Sequence, residues 1–512
     1  MARLPRRAGT AVSQVSRPYP IRGLSLRNFR RICDNGFGDG HNSIPHSMAW
    51  FNGRLLVGTT RSSFQMLRVQ KIFRDLPVHC WPVEGPDNSV DLYTLDRRAQ
   101  IWSFDPLTSE WEEVFRSPMV DALTEGKVAR ETGYRAMAVF QGESDPHPAL
   151  YVATWGVSRS PGALILRSLD GRTFEPVSDY GIIPGSRVTA TRVLVPFKGR
   201  LFTSPTGTRG HDVEFVINVS GLPVIYETRD PAGSVWTAAS EPSFGDLSNL
   251  GVFTMCVFND QLYAGTFNNA GFQLWRSDCA GEPPYRWTRV IEQGAFRGPE
   301  NQAVLSMAAF KDALYVGTGI QNGGYDRTNN IGPAGAEVIR VNADDSWDLI
   351  VGEPRMTPAG RKDPLAGLQP GFGNILNGYI WSMAAHEDWL YVGTMDSIIW
   401  AQWLDLARYP ERTRRLIEGI GVQSILENEA GCDLWRSADG ENFLPVTRTG
   451  FDTKYNLGVR NLVSSPAGLF AGLTNPFGPR VAVQAEGGPF RYVDNPRGGL
   501  EIWLGQPDDS PN

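Results

Sequence analysis

The sequence has few of the residues that build metal centres and disulfide frameworks. Its 512 residues include five cysteines, which lie far apart and show no CxxC spacing, and six histidines, which show no HxH or HExxH spacing. An odd, scattered set of cysteines in a chain of this length favours reduced, structural thiols. We therefore predict no disulfide framework, no metal site and no cofactor, and we leave open only a structural calcium ion.

Long apolar runs and runs of one charge are also absent. There are 49 Lys and Arg against 55 Asp and Glu, which gives a formal net charge of -6, so nothing attracts nucleic acid or an anionic membrane. The first 20 residues are basic but lack the apolar core of a signal peptide. We predict a soluble, cytoplasmic protein with a flexible basic tail at 1–20 and with neither a nucleic-acid nor a membrane partner.

The motifs of several common enzyme classes are missing. The sequence contains no phosphate-binding GxxxxGK[ST] motif, no GxSxG nucleophile elbow and no dinucleotide-binding fingerprint. Nucleotide-dependent enzymes and serine hydrolases of those families are therefore not predicted.

What fills the chain is one repeated hairpin. The stretch "SMAAFKDALYVGT" from Ser306 returns in altered form from Ser47, Ala136 and Ser382. Each copy reads as a strand, a short turn and a second strand with small residues where backbones crowd. We count seven copies, whose first strands carry the anchor residues Met48, Met137, Leu194, Met255, Met307, Met383 and Leu462.

Third strands follow all seven hairpins, but fourth strands follow only six of them. The missing strand is predicted at the other end of the chain, because the sequence from Phe29 aligns with the fourth strands that begin at Trp287 and Phe443. The sequence therefore predicts an all-β fold, a single seven-bladed β-propeller over 21–512, with 29–32 as the outer strand of the last blade.

Four long excursions interrupt this repeat. They cover 61–99, 319–335, 352–376 and 396–431, and loops of such length in a compact fold usually carry function. The excursion from blade 6 has apolar residues at near-helical spacing and predicts a short helical insertion, either a lid or a plain cap on the channel.

The position two residues before each anchor separates the blades into two groups. Four consecutive blades carry His46, Arg135, Arg192 and Arg460, and the other three carry Phe253, Leu305 and Trp381. One side of the mouth would then be cationic and the other apolar, which suits a small amphipathic or aromatic ligand. The alternative is that these side chains wedge between blades and that the arginines pair with local carboxylates.

Charge also appears where two second strands end. Arg61 in blade 1 and Asp396 in blade 6 flank blade 7, so both can reach one pocket from two sides. In a desolvated pocket the carboxylate would be a general base and the guanidinium an anion clamp, whereas on the surface the two would form an ordinary ion pair. Tyr325 lies in a decorated loop and is a further candidate for substrate binding.

Several stretches resemble known propeller families. "SLDGRTF" from Ser168 and "SADGENF" from Ser437 resemble the Asp-box turns of sialidase-like propellers, which are structural. "GTGIQNGGYDRTNNIGPAGAE", "SPTGTRG", "EPPYRWTRVI" and "LNGYIWSMA" resemble a family of bacterial seven-bladed propellers, and the propeller is similar to that of the alkylating enzymes of cylindrocyclophane biosynthesis.

This resemblance implies a Friedel-Crafts alkylation in natural product biosynthesis, in which a secondary alkyl chloride reacts with a phenolic ring or a carboxylate. It implies catalytic roles for Arg61 and Asp396, and for a tyrosine that is Tyr455, Tyr325 or Tyr409, with Tyr455 our choice. We identify no counterpart in this sequence of the additional calcium-binding domain of those enzymes.

The alternative function is a non-catalytic propeller that binds a small ligand or scaffolds a partner protein. A glycan hydrolase is disfavoured because no suitable carboxylate pair with a tyrosine nucleophile is evident.

Overall fold

The computed structural model describes residues 23–70, 73, 76–88, 91–183, 188–208, 225–408, 411–485 and 488–507. The predicted tail at 1–20 and one of the candidate tyrosines, Tyr409, lie outside these residues. The chain is mostly β and forms large antiparallel sheets. No helix in the described ranges has the length and apolar character that crossing a membrane requires.

The strands form seven antiparallel units of four. The first strands are Asn42–Phe51, Gly133–Phe140, Val188–Phe197, Asn249–Phe258, Ala303–Phe310, Asn377–His386 and Gly458–Ser465. The second strands are Arg54–Arg61, Ala149–Trp155, Arg200–Thr208, Gln261–Asn268, Ala313–Gly319, Trp389–Asp396 and Gly468–Thr474. We number the units 1 to 7 in this order.

The outer halves of the units are shorter. The third strands are Gln100–Asp105, Ile165–Ser168, Tyr226–Thr228, Leu274–Ser277, Val338–Asn342, Leu434–Ser437 and Glu501–Gly505. The fourth strands of units 1 to 6 are Glu110–Arg116, Glu175–Pro176, Thr237–Ala238, Thr288–Ile291, Trp347–Val351 and Leu444–Thr447. In unit 7 the fourth position is taken by Phe29–Cys33, which pairs antiparallel with the third strand.

The first strands of the seven units form a closed series. Each lies against the first strands of the units before and after it, and the strand of unit 7 returns to that of unit 1. Apolar side chains from adjacent units fill the space between them, as where Leu150 and Val152 of unit 2 pack with Leu56 and Ile101 of unit 1. The hydrophobic core is therefore divided into wedges between units.

A buried asparagine braces five of the units at the start of the first strand. In unit 6, Asn377 donates to the carbonyl oxygen of Gly371 at 2.9 Å and to Asp433 at 3.0 Å. Asn42, Asn249, Asn301 and Asn456 make the corresponding two bonds in their own units. This repeated asparagine therefore has a structural role, since it joins the preceding turn to the start of the third strand of its unit. The two Asp-box turns likewise close on themselves, since Asp170 and Asp439 accept backbone N–H bonds from the next turn residues.

Three excursions come together into what we call the cap, the described parts of 62–99, 397–432 and 475–500. It contains the helices Ser63–Val69, Glu411–Ile420 and Val422–Asn428 and the hairpin Arg480–Gln484/Phe490–Asp494. Backbone bridges join Val78 to Leu404 and Val83 to Val481. The buried Trp403 donates its indole N–H to the carbonyl of Ala482 at 3.0 Å. The cap thus links units 1, 6 and 7, and the excursion from unit 7 is one that the sequence analysis missed.

The remaining elements are short. Two further hairpins are Met119–Asp121/Lys127–Ala129 and Arg355–Thr357/Gly360–Lys362. Helical turns cover Leu26–Asn28, Asn35–Gly38, Asp91–Thr94, Pro231–Gly233, Pro242–Gly245, Gln293–Phe296, Gly298–Asn301, Gln321–Gly324, Pro370–Gly373, Ile398–Gln402 and Leu406–Arg408. All five cysteines are free thiols.

Candidate functional site

Each of the seven first strands contains a break in register at the same place. Between Val459 and Asn461 of unit 7, for example, the pairing with the second strand shifts, and Arg460 is left without a paired residue opposite it. Such a β-bulge re-aims the side chain of the extra residue. The residues at the seven shifts include His46, Arg135, Arg192, Phe253, Leu305, Trp381 and Arg460.

These seven residues differ in character between the repeats, and the structure brings them together. We call them the bulge residues. Because the first strands form a closed series, seven bulges at one level direct seven side chains toward the centre of one end of the ring.

The cationic members lie close to one another. Burial lowers the pKa of His46 strongly, and the positive charges of Arg460, Arg135 and Arg192 lower it further. Burial, followed by repulsion from Arg192, lowers the pKa of Arg460 to about 9. Burial lowers that of Arg192 to about 10. Both guanidinium groups therefore remain charged at neutral pH. Together with Arg135 and His46 they lie in one partly dehydrated space.

An aromatic ring lies close to each of the three guanidinium groups. The central carbon of Arg192 lies 3.8 Å from the ring centroid of Phe253, and that of Arg460 lies 5.4 Å from the centroid of Trp381. The central carbon of Arg135 lies 5.3 Å from the centroid of Trp155. Such cation–π contacts stabilise the charge and leave N–H groups at the guanidinium edge able to donate hydrogen bonds.

The guanidinium edges have partners of their own on the protein. Arg135 donates to the hydroxyl of Thr206 at 3.2 Å, and Arg192 donates from Nε to the carbonyl oxygen of Phe253 at 3.2 Å. Both side chains make at least one further interaction. In the described part of the chain, Arg460 forms no ion pair with a carboxylate.

His46 is held as a neutral hydrogen-bonding ring. Its Nδ1 lies 2.6 Å from the hydroxyl oxygen of Thr60, and its ring packs edge-on against Trp155 at 5.8 Å between centroids. Gly133 makes this packing possible, because a Cβ at that position would lie 3.1 Å from the Trp155 ring and would overlap Thr60. The cationic side is thus continuous from unit 7 through unit 1 to unit 3.

The apolar side closes the circle. Phe253 and Leu305 are buried and pack with Phe267 and Tyr379, and the Tyr379 ring lies 5.8 Å from that of Trp381. The phenol oxygen of Tyr379 accepts a hydrogen bond from the backbone N–H of Gly323 at 2.9 Å. The bulge residues and their aromatic neighbours therefore form one lining, cationic on one side and apolar on the other.

Sequence reasoning missed Trp155, Thr60, Thr206 and Tyr379. The signal for Tyr379 is present, because the position four residues before the anchor is Ile, Gly or Ala in the other six repeats. The other three lie near the ends of second strands, and their contacts with His46 and Arg135 arise from packing in three dimensions.

The residues predicted at the second-strand ends lie in separate networks. Arg61 is buried and forms an ion pair with Asp39 at 2.8 Å and a hydrogen bond to Asn42 at 2.9 Å. Asp396 accepts bonds from Asn374 at 2.9 Å and from the N–H of Ile398 at 2.7 Å. Each therefore binds its own turn, and among the described residues no hydrogen bond or ion pair joins them.

Burial raises the pKa of Asp396 well above its usual value, and the charge of Asp433 raises it further. This carboxyl group therefore favours its protonated form in the folded protein. That state suits a buried turn brace that accepts two hydrogen bonds better than it suits a general base at neutral pH.

Two of the three candidate tyrosines, Tyr455 and Tyr325, lie in the described ranges. Tyr455 is half-buried in the aromatic core of the cap, where its ring lies 5.5 Å from that of Phe477. Tyr325 precedes the buried Asp326, whose carboxylate accepts bonds from Gln302, Gln321 and Asn329. In the described ranges, no group of three or more His, Cys, Asp or Glu side chains can hold a metal ion.

Comparison with known proteins gives no family. No family model and no curated protein matches this chain. Among solved structures, virginiamycin B lyase from Staphylococcus aureus is similar with 7% identity and a TM-score of 0.37, over 72% of this chain and 93% of that one. A puromycin-hydrolyzing peptidase of Mycobacterium tuberculosis is similar with 11% identity and a TM-score of 0.42, over 92% of this chain and 54% of that one. A β-xylosidase is similar with 13% identity and a TM-score of 0.32, over 67% and 98%.

Proposed function

We propose that this protein is a seven-bladed β-propeller that binds a small amphipathic anion at the centre of one face. In this proposal the seven four-stranded units are the blades, the strand Phe29–Cys33 closes the ring, and the helices of the unit 6 excursion belong to the cap. The five free thiols support a cytoplasmic location.

One observation carries the proposal: three arginines and a histidine converge from four consecutive first strands beside an apolar wall. Gathering like charges in a partly buried space is unfavourable, because each charge loses hydration and repels the others. A bound anion removes that repulsion and forms charge-assisted hydrogen bonds with the guanidinium edges. Phe253, Leu305 and Trp381 then receive the apolar part of the same molecule.

Isothermal titration calorimetry tests the proposal. The probes are 4-phenylbutyrate, which combines a carboxylate with an apolar body, and its neutral amide. We expect the acid to bind and the amide not to bind. The Arg460→Met variant should lose at least tenfold in affinity, because it keeps most of the side-chain volume but removes the charge.

The matched control is Arg361→Met, since Arg361 is exposed and pairs with Asp363 on the surface. Its affinity for the acid should equal that of the wild type. Failure of the acid to bind the wild type, or an equal loss in both variants, would contradict the proposal.

Alkyl transfer is the second candidate function. The favouring observation is that the arginines can receive a chloride ion as it leaves a carbon atom in a partly dehydrated, apolar setting. The new bond would join the alkyl carbon to a phenolic ring or a carboxylate, and the proton of the ring or acid would pass to a base. The same two variants, assayed with a secondary alkyl chloride and an alkylresorcinol, separate this reaction from binding alone, since only an enzyme releases chloride.

A further inference from the structure

Tyr379 occupies a special place in the lining. It belongs to the apolar side, since it packs with Phe253 and Leu305 and contacts the ring of Trp381. Phe253 and Trp381 are in turn the rings that make cation–π contacts with Arg192 and Arg460. The phenol therefore lies near both guanidinium groups: burial raises its pKa, and the hydrogen bond from Gly323 and the charges of Arg192 and Arg460 oppose that rise.

The hydroxyl of Tyr379 can donate a hydrogen bond to a ligand. Its oxygen already accepts the N–H of Gly323, and within the described residues its own hydrogen has no acceptor. A hydroxyl that accepts a hydrogen bond becomes a stronger donor, because the two bonds polarise one another. Guanidinium groups are donors only and cannot take this hydrogen.

Flat surfaces dominate this part of the site. The guanidinium groups of Arg192 and Arg460 lie beside the rings of Phe253 and Trp381, so planar groups line this part of the site. A carboxylate attached to an aromatic ring is coplanar with it and presents both oxygens along one edge. A phosphate is tetrahedral and needs donors above and below any one plane.

We infer that the ligand of this site is an aromatic carboxylate and that Tyr379 donates its hydroxyl hydrogen to one carboxylate oxygen, while Arg192 and Arg460 bind the carboxylate through their edges. The inference rests on the proposed function and adds the chemical class of the ligand and a specificity-determining residue. The ring of the ligand packs against Phe253 and Trp381.

The test compares benzoate, phenyl phosphate and inorganic phosphate as probes, with affinities measured by calorimetry for the wild type and for Tyr379→Phe. We expect benzoate to bind the wild type at least tenfold more tightly than either phosphate. Tyr379→Phe should weaken benzoate at least tenfold, because the ring packing remains and only one charge-assisted hydrogen bond is lost.

Tyr180→Phe is the control, since Tyr180 is 42% exposed and lies outside the lining; it should leave benzoate affinity unchanged. Equal affinity of Tyr379→Phe and wild type, or tighter binding of a phosphate, overturns the inference while leaving the proposed function intact. If none of these anions and no 4-phenylbutyrate binds the wild type, the proposed function fails together with the inference. Thermal unfolding of each variant without ligand shows whether a loss of binding reflects loss of the fold.

Discussion

At the scale of single residues, the bulge residues show how one position in a repeat acquires a role. The second strands are nearly invariant in character because they are buried in every unit. The bulge residue escapes that constraint, since it pairs with nothing and faces the centre. The sequence predicts which position varies, but the bulge itself arises from strand pairing and could not be predicted from one strand alone.

A second residue departs from its repeat in a different way. Three of the five braces bind an acidic residue, which is Glu337 in unit 5, Asp433 in unit 6 and Glu501 in unit 7. An arginine lies 2.8 Å from Glu337 and another lies 2.7 Å from Glu501, whereas Asp433 has no cation so close among the described residues. Asp433 is buried. The charged groups that act on it include Arg448, whose Nε lies 3.9 Å from its carboxylate oxygen, and the carboxyl groups of Glu429 and Asp396. Burial raises the pKa of Asp433 to about 6.

This shift predicts a loss of stability as the pH rises. The folded protein keeps a proton on Asp433 that the unfolded chain releases at a pH of about 4, so the free energy of unfolding falls between about pH 4 and pH 6 and is then level. Asp433→Asn keeps the acceptor oxygen for Asn377 and removes the charge. We expect the variant to gain up to about 3 kcal/mol relative to wild type between pH 4 and pH 7.

Urea unfolding at several pH values measures this difference. Asp344→Asn is the control, because Asp344 lies in an exposed turn with burial too slight to disfavour its charge. A difference between Asp433→Asn and wild type that does not change with pH would show that the carboxyl group is ionised throughout.

At the scale of elements, the hairpin and its brace form the building unit. Strand composition and short turns predict both strands of each hairpin. The cap is different. Its parts come from three excursions that are separate in the sequence, and bridges such as Val78 to Leu404 leave no pattern in a single sequence. Its joining of units 1, 6 and 7 could not be predicted for that reason.

The brace predicts a large effect from a small substitution. Asn301 binds the carbonyl of Gly294 and the carboxylate of Glu337, and its oxygen accepts the hydroxyl of Thr318. Asn301→Ala leaves all three groups buried without this partner, so we expect a loss of about 2–4 kcal/mol in the free energy of unfolding.

Chemical unfolding monitored by tryptophan fluorescence gives this value. Asn342→Ala serves for comparison, because Asn342 makes its bonds to Ser346 and Asp348 near the surface, where the expected loss is below about 1 kcal/mol. Equal losses at the two positions would show that the buried asparagine is not a brace.

At the scale of the whole molecule, the ring depends on the pairing of Phe29–Cys33 with Glu501–Gly505. This pairing could be predicted, because the sequence offers seven third strands and only six fourth strands after them. The close approach of the arginines at the centre of the ring could not be predicted from the sequence, because it follows from the packing of the units in three dimensions.

Removal of residues 1–33 should therefore expose the edge of the last sheet. We expect a lower unfolding temperature and association through that edge, because its N–H and C=O groups and the apolar side of Ile502 lose their cover. A chain that begins at Gly23 retains every described strand and should match the full-length protein. Differential scanning calorimetry and size-exclusion chromatography report the two effects, and equal behaviour of the two truncated chains would show that closure does not stabilise the fold.

The same pairing imposes an order on synthesis. The ribosome releases Phe29–Cys33 before any hairpin of the ring and Glu501–Gly505 after all of them, so the earliest strand has no partner until translation is nearly complete. The strand Gly458–Ser465, which carries Arg460, is also made late, so the arginines of units 2, 3 and 7 can come together only near the end of synthesis. The binding centre is thus the last part of the molecule to come into being.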